Sequence, residues 1–134
     1  MPPLEMTVWA PRLLSVLRIM AAFLFIQFGT MKTFAFPAGV PPNGGTVPLM
    51  SQAGIGGALE VICGALLLLG WHTRPAAFLM SGMMAVAYFQ FHAPNGFWPL
   101  KNGGVDAVLY CFLWLYFSAA GGGPWSVDAM RRRG

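Results

Sequence analysis

The sequence predicts an all-α, four-transmembrane-helix bundle with both termini cytoplasmic, and three observations predict it. Four apolar segments recur along the chain, charged residues are scarce, and the basic residues collect on alternate connections. Of the 134 residues, 57% are hydrophobic and only 9% are charged. A soluble domain is typically about 25% charged, so lipid is the natural solvent for the missing polar surface. The length allows one domain, taken here as the whole chain, 1–134.

The first predicted helix covers 13–31, an apolar run interrupted by Arg18 and Gln27. Residues 1–10 contain Glu5 and lack a basic n-region, so this run reads as a retained helix and not a cleaved leader. The second covers 54–71 (GIGGALEVICGALLLLGW), the third 75–91 and the fourth 105–120. Each is near the length that crosses about 30 Å of hydrocarbon at about 1.5 Å per residue. The connection Trp71, His72, Thr73, Arg74 is so short that helices two and three must be antiparallel neighbours, with Pro75 suited to a helix start. The connection 33–53 carries Pro37, Pro41, Pro42, Pro48 and the Gly44, Gly45 pair, and therefore reads as a loop.

Charge placement predicts direction. Arg12, Arg18, Arg74, Arg131, Arg132 and Arg133 fall toward one side, and Lys32 and Lys101 toward the other. The positive-inside rule then puts both termini in the cytoplasm, as an even number of crossings requires. The net charge of +4 is scattered, apart from the C-terminal arginines, and does not suggest nucleic-acid binding. Cys63 and Cys111 lie in apolar helices without CxxC spacing, so they read as small apolar side chains; no metal site is expected.

Glu60 is the lone carboxylate of 54–71. An ionisable group in hydrocarbon is costly and normally faces a protein interior with a partner. Lys32 is the partner to expect, because its long stem lets the ammonium reach a carboxylate near the membrane rim. Glu60 reads as a structural ion pair, as a neutral proton-bearing acid that packs in the interior, or as a group that handles protons or a ligand. At the same depth the sequence places Gln27, His92, Asn102 and Asp106, which with Glu60 and Lys32 make the candidate polar site. Asp106 equally suits a helix start, and His92, which closes the third helix, either carries protons or hydrogen-bonds to the outer loop, with metal ligation the remaining alternative. Arg18 stands apart on the inner side, where it snorkels to headgroups or pairs within the protein. Gly57, Glu60 and Gly64 share one helical face, on which small residues let a neighbouring backbone approach.

These pieces together resemble the DoxX family of small bacterial membrane proteins. The matching stretches are LLSVLRIMAAFLFIQFGTMKTF, GIGGALEVICGALLLLGWHTRPAA, MMAVAYFQFHAPNGFWPLKNGG and LYFSAAGGGPWSVD, which leave out the N-terminal tip, the proline-rich loop and the tail. The resemblance implies a multi-pass protein of the bacterial inner membrane, with Arg18, Lys32, Glu60, His92 and Asn102 at the family's characteristic polar positions. It also implies a setting of membrane redox or oxidative-stress processes, since relatives include a subunit type linked to thiosulfate oxidation and quinone reduction. The expected role is a subunit or scaffold, a non-autonomous oxidoreductase component at most, that binds a quinone-like lipid beside a membrane or peripheral redox partner. No cofactor motif is evident. A purely structural or assembly protein and a small-solute transporter are the alternatives, and homo-oligomerisation is left open alongside contact with membrane lipids.

Overall fold

The computed structural model describes residues 3–41 and 44–133, with side chains described for 7–41 and 44–132. Pro42 and the side chains of Glu5 and Arg133, all used above, lie outside the described set. The described chain is all-α, in the order α1 (Pro3–Phe34), α2 (Gln52–Leu69), α3 (Thr73–Ala87), α4 (Pro99–Asn102), α5 (Val105–Ala120) and α6 (Val127–Arg133). Between α3 and α4 run a π-helical turn, Tyr88–His92, and a 3₁₀ turn, Ala93–Asn95.

The expectation of four crossings is corrected. Among the described residues, three helices are long and apolar enough to span a membrane: Thr7–Phe34, Gln52–Leu69 and Thr73–Asn95. α5 is apolar but has 16 residues, a length of about 24 Å against about 30 Å of hydrocarbon. The even-number argument that placed both termini in the cytoplasm falls with the fourth crossing. The segment 105–120 was read as apolar and near spanning length, but glycines hold it to those 16 residues: Gly104 precedes the first turn and Gly121, at φ 79°, stops the last.

The chain forms two compact units, Met1–His72 with Gly122–Gly134, and Thr73–Gly121. In the first unit, α1 and α2 pack through glycine. A Cβ on Gly29 would lie 2.7 Å from the Gly57 carbonyl oxygen and 2.9 Å from Glu60 Cβ. One on Gly64 would meet Ile26 Cβ at 3.1 Å. The backbones therefore come close enough for short side-chain stems to touch across the seam. Ser51 caps the start of α2, its Oγ accepting the Gly54 N–H at 3.0 Å. Gly70, at φ 72°, closes the other end, while Trp71 N–H donates to Leu66 O at 2.9 Å.

In the second unit, α3 and α5 form the other hairpin. Ser81 Oγ donates to Cys111 O at 2.7 Å, and Met80, Met84, Trp114 and Phe117 are buried. The methionines act as core filling, as their thioethers suit irregular gaps.

Candidate functional site

The candidate residues divide between the two units. In the first unit, Lys32 Nζ donates to Glu60 Oε1 at 2.7 Å. Glu60 is 2% exposed and the Lys32 side chain 28%. Glu60 lies on α2 between Gly57 and Gly64, on the face that meets α1. Lys32 is in the last turn of α1, and its carbonyl accepts the Val47 N–H at 3.0 Å, which ties the long loop to the helix end. Among the described residues this is the one hydrogen bond on the carboxylate, although an ionised carboxylate has room for about four. The arrangement holds a cation and a carboxylate side by side, able to donate and accept hydrogen bonds at one point.

Gln27 does not join them. Its Nε2 donates to Phe23 O, one turn back on its own helix, at 3.2 Å. A cavity of the first unit does not either. It holds about 400 Å³ and is lined by Thr33, Phe34, Val47, Leu49, Gly54, Ala58, Val61 and Ile62. At about 100° per residue, its α2 residues centre roughly 110° round the helix from the Gly57, Glu60, Gly64 face. The cavity is an apolar recess on another flank.

In the second unit, Asn102 is the hub. Its Nδ2 donates to Tyr88 Oη at 3.2 Å and to Gly96 O at 3.0 Å, and its Oδ1 accepts the Gly104 N–H at 2.8 Å. The side chain is buried and thereby closes the connection between α3 and α5. His92 Nδ1 lies 3.1 Å from Asn102 O. A carbonyl only accepts, so the bonding assigns the proton to Nδ1 and leaves Nε2 as the acceptor of the neutral ring. Tyr88 and His92, four residues apart on one face of the turn, stack at 6.3 Å. Tyr88 was missed by the sequence reading. The available signal was its place four residues before His92. Asp106 is exposed in the first turn of α5, where the helix dipole favours an acid.

Arg18 builds a third arrangement, again in the first unit, at the opposite end of the α1–α2 hairpin from Lys32. It is 1% exposed. Nε donates to Leu67 O at 2.8 Å, Nη2 to Trp125 O at 3.0 Å and to Leu68 O at 3.4 Å, and Nη1 to Gly122 O. Of the two readings offered for it, pairing within the protein is the one observed. The guanidinium caps the negative end of α2 and clasps the segment that follows Gly121. Gly70 makes room, since a Cβ there would stand 2.9 Å from Arg18 Cζ. Ser15 reinforces the clasp by donating to Gly122 O at 3.0 Å and accepting the Trp125 N–H at 3.1 Å. Asp128 Oδ1 accepts the N–H of His72, which sits at φ 52° in the tight turn. An acceptor placed on that N–H helps hold a left-handed conformation that histidine adopts only occasionally.

Among the described residues, no three His, Cys, Asp or Glu side chains group in a way that could hold a metal. Cys63 and Cys111 are free thiols, one in each unit.

Comparison with known proteins bears on this geometry. The family model described as DoxX matches residues 13–93. A Haemophilus influenzae protein, described only as an uncharacterized protein, is 41% identical over 125 residues, which cover 90% of this chain and 91% of that protein. No solved structure matches.

Proposed function

The chain belongs to the DoxX family, and from that premise we propose that it is a membrane subunit or scaffold that presents the Lys32–Glu60 pair to a quinone-like lipid. It is a multi-pass protein of the bacterial inner membrane. The observation that carries the proposal is the 2.7 Å pair itself, with a carboxylate 2% exposed and singly bonded among the described residues. Reducing a quinone to a quinol takes two electrons and two protons. In this reading Lys32 donates a hydrogen bond to a quinone carbonyl, and Glu60 passes protons to the reduced oxygens. The electrons come from a redox protein partner, since the chain carries no electron-carrying motif. The redox context is the one the family brings.

A structural role is the second reading, favoured by the position of the pair on the Gly29–Gly57 seam, where it joins α1 to α2. Purified protein in nanodiscs, titrated with a short-chain quinone, separates the two. The proposal expects saturable binding, weakened about tenfold or more by Lys32→Met, the loss of one charge-assisted hydrogen bond. It also expects Glu60→Gln to accumulate normally and to lose only the proton-coupled activity with its partner. Absent quinone binding in the wild type, with both variants poorly accumulated, would leave the structural role.

A further inference from the structure

The arginine clasp has a consequence at the surface. It fixes the segment after Gly121 across the end of the α1–α2 hairpin, and α6 follows directly. There Arg131 Cζ lies 5.9 Å above the Trp71 ring, while Arg12 Cζ lies 5.1 Å above the Trp9 ring near the start of α1. Arg131 and Arg132 are exposed, and so are Trp9, Trp71, Trp125 and Met130. A guanidinium stacked on an indole uses its face, so its in-plane N–H donors stay available for an anion. Among the described residues, no salt bridge is seen at Arg12, Arg131 or Arg132. Asp128, the acid of this segment, is turned to the His72 N–H.

We propose that this end of the first unit is a binding surface for anionic phospholipid headgroups, with Arg12, Arg131 and Arg132 as the cationic contacts and Trp9, Trp71 and Trp125 as interfacial anchors. Charge complementarity selects an anion. The exposed tryptophans beside Arg12 and Arg131 select a lipid surface over a soluble anion, because indoles settle at the headgroup level with one edge wet and the body in the apolar layer. The position agrees, since the surface continues the ends of two membrane-spanning helices. The inference is independent of the Lys32–Glu60 reading, which concerns the other end of the hairpin.

The test is thermal unfolding in a nonionic detergent, with phosphatidylglycerol, phosphatidylcholine or inorganic phosphate titrated in. Phosphatidylglycerol is expected to raise the midpoint saturably, phosphatidylcholine to do so far less, and about 0.5 M salt to reduce the difference by screening. The triple variant Arg12→Gln/Arg131→Gln/Arg132→Gln should lose roughly fivefold in apparent affinity per arginine. Arg132→Gln alone, which disturbs no ring contact, should lose about fivefold with an unchanged midpoint before lipid is added. Equal shifts from the two lipids, the same shift from inorganic phosphate, or unchanged affinity in Arg132→Gln would each overturn the proposal.

Discussion

The first unit buries two charges at opposite ends of one helix pair and treats them differently. Arg18 is surrounded by backbone: four of its N–H donors go to the carbonyls of Leu67, Leu68, Gly122 and Trp125. Glu60 faces one ammonium through one of its oxygens. A guanidinium whose donors are nearly all satisfied by main chain is committed to holding that main chain in place. A carboxylate with a single bond retains capacity for another partner, and Lys32, partly exposed, can share its remaining donors. The first charge is architecture, and the second is the better candidate for chemistry. The difference lies in the number of satisfied bonds, since both residues are almost fully buried.

The largest effect that could break this contrast is expected at Arg18. Arg18→Met removes the charge-assisted hydrogen bonds to four carbonyls, of which Gly122 O keeps Ser15 and Leu67 O keeps the Gly70 N–H, and should cost about 3 kcal/mol or more. The readouts are thermal unfolding in detergent and faster proteolysis in 122–133. Arg18→Lys should recover little, because one ammonium cannot span carbonyls on both α2 and the C-terminal segment. If Lys restores full stability, the clasp is a point charge and the contrast weakens.

Lys32→Met should come next, at about 2 kcal/mol, less than for a fully buried pair because the ammonium is partly exposed. Adding Glu60→Gln should recover more than half of that loss, since the stranded charge disappears. A double-mutant cycle measures the coupling, and additive losses would mean that the two residues do not depend on each other.

Asn102→Ala tests the second unit. It removes three side-chain hydrogen bonds and should cost about 1–2 kcal/mol, seen as faster amide exchange in 93–104. Quinone titration should be unaffected if the Lys32–Glu60 pair is a site in its own right. Asp128→Asn should have the smallest effect, about 0.5 kcal/mol by thermal unfolding, because an amide oxygen still accepts the His72 N–H.

The legible parts of this protein are those where chemistry leaves few choices. A lone acid in an apolar helix needs a cation, and Lys32 is the basic residue at the end of the preceding apolar run, so the contact could be read from the sequence. Glycines beside Glu60 marked the face that α1 occupies. Arg18 was harder, because its partners are backbone carbonyls, which every residue possesses and no residue type announces. The stretch containing GGGPWS carried part of the family resemblance, but its attachment was hidden for the same reason, since Arg18 and Ser15 hold it through main-chain oxygens. Tyr88 escaped because its hydrogen-bond partner is the Asn102 side chain, across the turns between α3 and α5, which spacing along a helix does not reveal. The fourth crossing failed on length, since the 16 apolar residues of 105–120 were taken as near enough to spanning, and they reach about 24 Å of about 30 Å. The depth argument that grouped six polar residues could rank them along the membrane normal. It could not show that Gln27 bonds back to its own helix or that Asp106 is exposed.

The central claim is that Glu60 and Lys32 form a ligand site, and locating the ligand tests it most directly. Protein in nanodiscs would be irradiated with a photoreactive quinone and the adducts mapped by mass spectrometry. The account predicts competable labelling on the peptides that carry Lys32 and Glu60, lost in Lys32→Met while the protein remains folded. Labelling confined to the Tyr88–His92 turn, or labelling that excess unmodified quinone fails to suppress, would contradict it.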